Sequence, residues 1–267
     1  MESHLYKITG ITNMHVGSGA ANYSIVDNEV EKDELLKCPI IHSSGVKGAL
    51  RDFVEATDNA SLANSIFGEP SDKNDGRMKP GAFIFMSANM LTRPLRVSKG
   101  IMSFINTTTV DIINNFITLV KSFNCMPEEL EDLKPIDLDE KAFGNAEFLC
   151  TADAEIEDEE TKMIKDEFEQ LDLLKKLLGD NFAIAREIDD YPLPIVARNS
   201  LDGNGKSNNL WYEEFVPHHS VFYLIILPPK DCNDSLRIEK WLPKDSIIQF
   251  GGNSTIGYGY TLVEEWK

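Results

Sequence analysis

Near its end the chain carries Phe250-Gly251-Gly252-Asn253-Ser254-Thr255-Ile256-Gly257-Tyr258-Gly259-Tyr260, with four glycines in the nine residues from Gly251 to Gly259. Glycine adopts positive φ and lets another group come close to the backbone, so such a cluster between two apolar segments makes a loop that can cradle a ligand. The chemistry open to it is anion binding through exposed N–H groups. A second segment, Pro39-Ile40-Ile41-His42-Ser43-Ser44-Gly45-Val46-Lys47-Gly48-Ala49-Leu50-Arg51, puts small residues and two cations where a helix should begin. Lys47 and Arg51 stand i, i+4 on one helix face, near an N-terminus whose unbonded N–H groups attract phosphate. Ser43 and Ser44 offer hydroxyls there, as helix caps, as phosphate contacts, or as both. The glycine run lacks the Lys-Ser/Thr ending of a P-loop and lies between the last strands, so it is not read as a nucleotide-triphosphate site.

Other chemistry-bearing residues are less clustered. Asp27-Asn28 reads as turn chemistry, with Glu29, Glu31 and Asp33 as rival carboxylates nearby. His15 precedes a Gly17-Ser18-Gly19 bend, and imidazole titrates near neutrality. His218-His219 offers no second metal-binding pair. The four cysteines, Cys38, Cys125, Cys150 and Cys232, lack Cys-x-x-Cys spacing and are read as reduced structural thiols.

The elements that must position these residues follow from periodicity. Leu5 to Thr12 reads as a strand, and Ser44 to Phe67 as a helix on its i, i+3, i+4 apolar spacing. Ala82 to Met90 and Ser220 to Leu227 are β-rich runs, the latter stopped by Pro228-Pro229. A short helix from Ser235 to Leu242 precedes strands at Ile247 to Phe250 and Tyr258 to Glu264, joined by the glycine run. The order matches an α+β, ferredoxin-like β-α-β-β-α-β palm made of residues 1–90 and 219–267. A large, mostly helical insertion at 91–218, with an acidic helical part at 126–190, separates its second and third strands. Within it, Val110, Ile113, Ile117 and Val120 share one helix face, and Ile164, Phe168, Leu171, Leu174 and Leu178 predict another helix over Glu160 to Gly179. Asp202-Gly203 and Asn204-Gly205 between β-rich arms predict a projecting hairpin over about 194–216, with Tyr212, Glu213 and Glu214 on it. There an aromatic could stack on a base, and Trp211 and Phe215 would anchor the hairpin to the core.

The net charge of −18 argues against a nucleic-acid partner until its distribution is considered. Met126 to Asp190 holds 22 acidic and 7 basic residues, a net of −15, whereas Lys37 to Lys99 has nine basic against six acidic. The acidic block reads as a solvated surface, or as a face that repels RNA or docks a basic partner. No 18-residue apolar stretch and no signal peptide are present in the sequence given, which predicts a cytoplasmic protein without a membrane span.

Taken in order, His15-Val16-Gly17-Ser18-Gly19, Ile25-Val26-Asp27, Pro39 to Arg51, Leu210 to Glu214 before Val216-Pro217, and Phe250 to Gly259 resemble the RAMP superfamily of CRISPR proteins. The pattern is most similar to the repeated backbone subunit of type III-B Cmr effector complexes; Leu91 to Ile188 contributes little to it. Where family members often carry a basic residue near the end of the glycine run, this chain has Tyr258 and Tyr260. The resemblance implies a subunit that polymerises as a helical filament on CRISPR RNA, alongside other Cmr subunits. Its thumb interrupts the guide–target duplex, and complementary single-stranded RNA is cut beside each interruption. It implies RNA contacts at Ser18, Ser43, Ser44, Lys47, Arg51, Gly251, Gly252, Asn253 and Thr255. It further implies a cleavage role for Asp27, as general base or as ligand of a divalent ion, Mg or Mn, with His15 assisting as acid or phosphate contact. Glu213 or Glu214 could also help cleavage. A non-catalytic RNA scaffold and a CRISPR RNA processing endonuclease are the alternatives within the same superfamily.

Overall fold

Strand β1 (His4–Gly10) is hydrogen-bonded on both edges; Tyr6, Ile8 and Gly10 on one face are buried, and so is Leu5 on the other. The structure, a computed structural model, describes residues 3–17, 19, 25–57, 60–69, 79–138, 140–165, 168–189, 191–231 and 234–267. After β1 come β2 (Ile40–Ile41), α1 (Ser43–Glu55) and α2 (Ala60–Phe67). Val46, Leu50 and Val54 recur every four residues and bury one stripe of α1, as the apolar spacing predicts. The single helix expected to Phe67 is instead two. Thr57 turns its hydroxyl to the Val54 carbonyl at 2.7 Å, and its amide takes the same oxygen at 3.1 Å, a local bond that competes with continued helix.

Short strands β3 (Gly68–Glu69), β4 (Lys79–Pro80) and β5 (Ile84–Phe85) lead to β6 (Ala88–Gly100), a 13-residue strand that spans two regions. Next are β7 (Phe104–Thr108) and α3 (Val110–Ser122). Thr109 caps α3 by accepting the Ile112 amide, while Asp111 in its first turn and Lys121 in its last complement the helix dipole. The chain continues through α4 (Glu140–Phe143), β8 (Phe148–Cys150), β9 (Ala154–Ile156), β10 (Thr161–Met163), α5 (Leu171–Leu178) and β11 (Phe182–Ala185). The acidic stretch expected to be helical is therefore mixed. The helix predicted over 160–179 survives only as α5, because Thr161–Met163 is captured by parallel pairing with β8 and Gln170 takes φ 65°, which ends any helix there.

The last elements are β12 (Ile195–Leu201), β13 (Ser207–Glu214), β14 (Val221–Leu227), α6 (Ile238–Trp241), β15 (Ser246–Gln249) and β16 (Tyr260–Glu265). One mixed sheet runs β10-β8-β11-β7-β6-β14-β1-β16-β15. Its first β6 residues pair with β14 and the following ones with β7, so residues 91–218 extend the sheet of the N- and C-terminal parts. One core cluster reaches from Leu5 and Val46 through α3 to Leu174 and Phe250. A smaller one, around Leu95, Phe148 and Ile156, lies under the outer half of β6. β12 and β13 form a separate two-stranded antiparallel hairpin, as the Asp-Gly and Asn-Gly pairs predict. Among the described residues no helix is long and apolar enough to cross a membrane.

Candidate nucleic-acid interface

The site is built on one edge of β13. Residues two apart on a strand turn their N–H and C=O groups to the same side, and Tyr212 and Glu214 turn theirs away from β12. The Tyr212 carbonyl accepts the amides of Asp27 at 3.0 Å and Asn28 at 3.1 Å, and the Tyr212 amide donates to Asp27 Oδ2 at 2.8 Å. Glu214 donates its amide to the Asn28 carbonyl at 2.9 Å, and its carbonyl lies 2.7 Å from His15 Nδ1. A carbonyl only accepts, so Nδ1 carries the proton and Nε2 is left for a ligand. Asp27 and His15 thus hang from positions two residues apart, about 7 Å along the strand at 3.3–3.4 Å per residue. Asp27 is exposed, and so is Tyr212 at 40%.

The glycine run closes over the same edge. Gly251 takes φ 81°, and a Cβ there would fall on the His15 carbonyl oxygen, which accepts the Gly252 amide at 2.9 Å. Gly259, also at φ 81°, approaches the Phe250 carbonyl so closely that a side chain has no room. The amides of Gly252, Ile256, Gly257, Tyr258 and Gly259 are all bonded within the protein, and Gln249 Nε2 gathers the carbonyls of Gly251 and Tyr258 at 2.9 and 3.2 Å. Of the run's N–H groups expected to face a ligand, those of Gly251, Asn253, Ser254 and Thr255 have no acceptor among the described residues. The Asn253 side chain is turned inward, donating to Glu213 at 2.8 Å.

The start of α1 is built differently. His42 is the N-cap residue and makes no side-chain capping bond, so Ser43 and Ser44 do not cap the helix; Ser43 sits inside its first turn. Both serines are exposed, and Lys47, half-buried, makes no hydrogen bond or ion pair among the described residues. Arg51 is committed elsewhere. Its guanidinium donates to Glu55 Oε1 at 2.7 Å, the Gly68 carbonyl at 2.9 Å and Asn64 Oδ1 at 2.7 Å, bracing α1 on α2. The Lys47–Arg51 clamp is therefore reduced to Lys47. Ser18 lies outside the described residues, as does Cys232.

Glu213 and Glu214, expected as cleavage participants, are 4% and 7% exposed. Glu213 Oε1 accepts Arg198 Nε at 3.0 Å and pairs with Nη2 at 2.9 Å, and Arg198 in turn lies 4.8 Å from the Tyr258 ring centre. Glu214 Oε2 accepts the Val30 amide at 3.1 Å. Sequence reasoning missed Arg198; its pairing is visible only in the register that sets it opposite Trp211, diagonal to Glu213. Phe215 anchors the hairpin base edge-to-face on Tyr258 at 6.2 Å. Burial, helped by Asp33, pushes the Cys38 thiol up to about 12, and burial alone takes Cys150 to about 12 and Cys125 to about 11. None of the three is a nucleophile at neutral pH.

The RAMP superfamily profile matches residues 7–263. The chain belongs to the RAMP superfamily. This RAMP protein is 29% identical over 288 residues to the CRISPR system Cmr endoribonuclease Cmr4 of Pyrococcus furiosus, covering 98% of this chain and 95% of that protein. It is 24% identical over 291 residues to the CRISPR system CMR subunit Cmr4 of Saccharolobus solfataricus, covering 94% and 92%. In fold it is similar to a chain of type III-B Cmr-beta in the apo state, with TM-score 0.75, 20% identity and 99% and 97% coverage. A crystal structure of oligomeric Cmr4 from Pyrococcus furiosus gives TM-score 0.71 at 19% identity, covering 100% and 98%.

The RAMP chain gathers no three His, Cys, Asp or Glu side chains into a metal cage among the described residues. Glu213 and Glu214 are occupied by Arg198, Asn253 and the Val30 amide, which leaves Asp27 as the candidate metal ligand among these three carboxylates. One carboxylate suits an ion held mainly by substrate phosphate and water, and not a resident site.

Proposed function

We propose that the chain is a repeated backbone subunit of a type III-B CRISPR RNA-guided complex that cleaves RNA complementary to its guide. The observation that carries this reading is the outer edge of β13, which holds an exposed carboxylate and an oriented imidazole at the base of the β12–β13 hairpin. The strand order β6-β14-β1-β16, with α1 and α6 in the crossovers, supports reading these elements as a ferredoxin-like palm. β12 and β13 act as its thumb. The open start of α1 and the exposed amides of the glycine run seat guide phosphates, and other copies of this chain and further Cmr subunits continue the path.

Cleavage needs the 2′-oxygen in line with the adjacent P–O5′ bond, a geometry reached when the thumb splays one nucleotide. Asp27 Oδ2 is held by the Tyr212 amide, so Oδ1 is the atom we assign to the chemistry. It takes the 2′-OH proton as the 2′-oxygen attacks phosphorus; the P–O5′ bond breaks, leaving a 2′,3′-cyclic phosphate and a 5′-hydroxyl. The leaving 5′-oxygen receives its proton from His15 in the imidazolium form. Nε2 is the proton donor, because Nδ1 is fixed on the Glu214 carbonyl. A divalent ion, if bound, would take Asp27 as its protein ligand and steady the phosphate charge.

Two variants test the role of Asp27 in the complex reconstituted with guide RNA. Asp27→Asn keeps an acceptor for the Tyr212 amide but removes the charge, and Asp27→Ala removes both. Both are expected to lose cleavage of complementary RNA by about 10²–10⁴-fold while retaining the guide. Wild-type cutting by the Asn variant would make Asp27 a loop fastener, and the chain a non-catalytic RNA scaffold.

A further inference from the structure

Successive residues of a strand point to opposite faces, and at the root of β13 the two successive residues are buried glutamates. Glu213 faces the glycine run. Its Oε1 accepts Asn253 Nδ2 at 2.8 Å and Arg198 Nε at 3.0 Å and lies 2.9 Å from Nη2 as an ion pair, while the Arg198 guanidinium lies over the Tyr258 ring. One carboxylate therefore ties both strands of the hairpin to two points of the run, Asn253 and Tyr258. Glu214 faces the other way. Its Oε2 holds the Val30 amide, Oε1 lies 3.7 Å from Lys32 Nζ, and its backbone holds Asn28 and His15. Between the two side chains runs a single peptide unit, so any tilt of the hairpin on the run is passed to the loop that carries Asp27.

A buried carboxylate must be compensated, and Glu213 is compensated by Arg198 of strand β12 and by Asn253 of the glycine run, which close on it together. We propose that Arg198 and Glu213 are positioning residues for RNA cleavage. They lock the hairpin's angle on the glycine run and, through Glu214, hold the Asp27 loop in register with the RNA phosphates seated there. Which phosphodiester bond is cut is then set by this joint and not by Asp27 alone. The inference rests on the cleavage reading above, and its test separates the two.

Arg198→Lys keeps the charge but loses the planar fork and the stacking face. Arg198→Gln combined with Glu213→Gln leaves a neutral, hydrogen-bonding pair with no unpaired buried charge, so this variant keeps its fold. In the reconstituted complex, mapping the cut RNA to single nucleotides is expected to show cutting slowed by about 10²-fold and spread onto neighbouring bonds, since a displacement of about 1 Å costs that much. Guide binding should be unchanged. A purely structural role would lower the amount of active complex but leave the cut position where it was, and that result overturns the proposal. Hydrogen exchange gives a readout independent of cleavage: the Asn28 and Val30 amides, which touch neither substituted side chain, should exchange faster in both variants. Unchanged exchange there overturns the coupling whether or not the chain cuts RNA. Faster exchange in a chain whose wild type cuts no RNA upholds the joint and sinks the cleavage reading.

Discussion

The two segments that the sequence marks as phosphate seats are built in opposite ways. The glycine run is mostly turned inward: five of its amides, the Asn253 side chain and the carbonyls held by Gln249 serve the protein's own loops. The start of α1 has no side-chain cap, two exposed serines and a Lys47 without a hydrogen bond or ion pair among the described residues. The same residue types therefore do different work. Glycines at positive φ let the run sit against His15 and Phe250, which shapes the site; at the helix start the Ser43 amide is taken by Ser87 Oγ at 3.2 Å, and the Ser44 and Gly45 amides are kept for a ligand.

The contrast predicts which substitutions damage architecture and which damage affinity alone. Gly259→Ala should act most strongly, because its Cβ collides with the Phe250 carbonyl at a left-handed backbone position. A loss of about 2–4 kcal/mol in chemical unfolding is expected, combining overpacking with backbone strain. A Gly259→Ala chain as stable as wild type would show that the run is not the welded element described.

Next in size is Lys47→Ala. It should leave stability within about 0.5 kcal/mol but lower the slope of log K against log salt for guide RNA by about 1. An unchanged salt slope would remove α1 from the interface.

Arg51→Ala should behave in the reverse manner. Losing three hydrogen bonds, partly exposed, lowers stability by about 1–2 kcal/mol in urea titration, with the salt slope unaltered. Were the slope to fall as it does for Lys47→Ala, the bracing role would be secondary. Ser44→Ala is the mildest, since Ser44 is not a cap; its stability should stay within about 0.5 kcal/mol, against about 1 kcal/mol for loss of a true cap.

Charge shows the same division between what a sequence counts and what a fold arranges. The basic surplus of Lys37 to Lys99 looked available for RNA, yet Arg96 pairs with Glu157 at 3.6 Å and Asp158 at 2.8 Å, and Lys99 with Glu155 at 3.2 Å. Arg96 holds the Asp158 carboxyl below its usual range, mainly through that hydrogen bond. Part of the acidic block thus neutralises cations of its own chain. The hairpin was legible from Asp202-Gly203 and Asn204-Gly205 because turn chemistry is local, and α1 and α3 from their apolar stripes. The strand Thr161–Met163 was not, because its pairing with β8 is a tertiary contact that overrides a helical pattern.

By itself the sequence determined the local elements that periodicity and turn residues encode, the clustering of glycines, and the candidates Asp27, His15 and Lys47. Only the tertiary structure decided how they are used. It spent Arg51 on α2, buried Glu213 against Arg198, and hung Asp27 and His15 on one edge of β13. Spacing along a chain fixes which side chains share a face of one element. Which donors and acceptors remain for a ligand depends on partners far away in sequence, 185 residues for Asp27 and Tyr212, and those meet only when the sheet has closed.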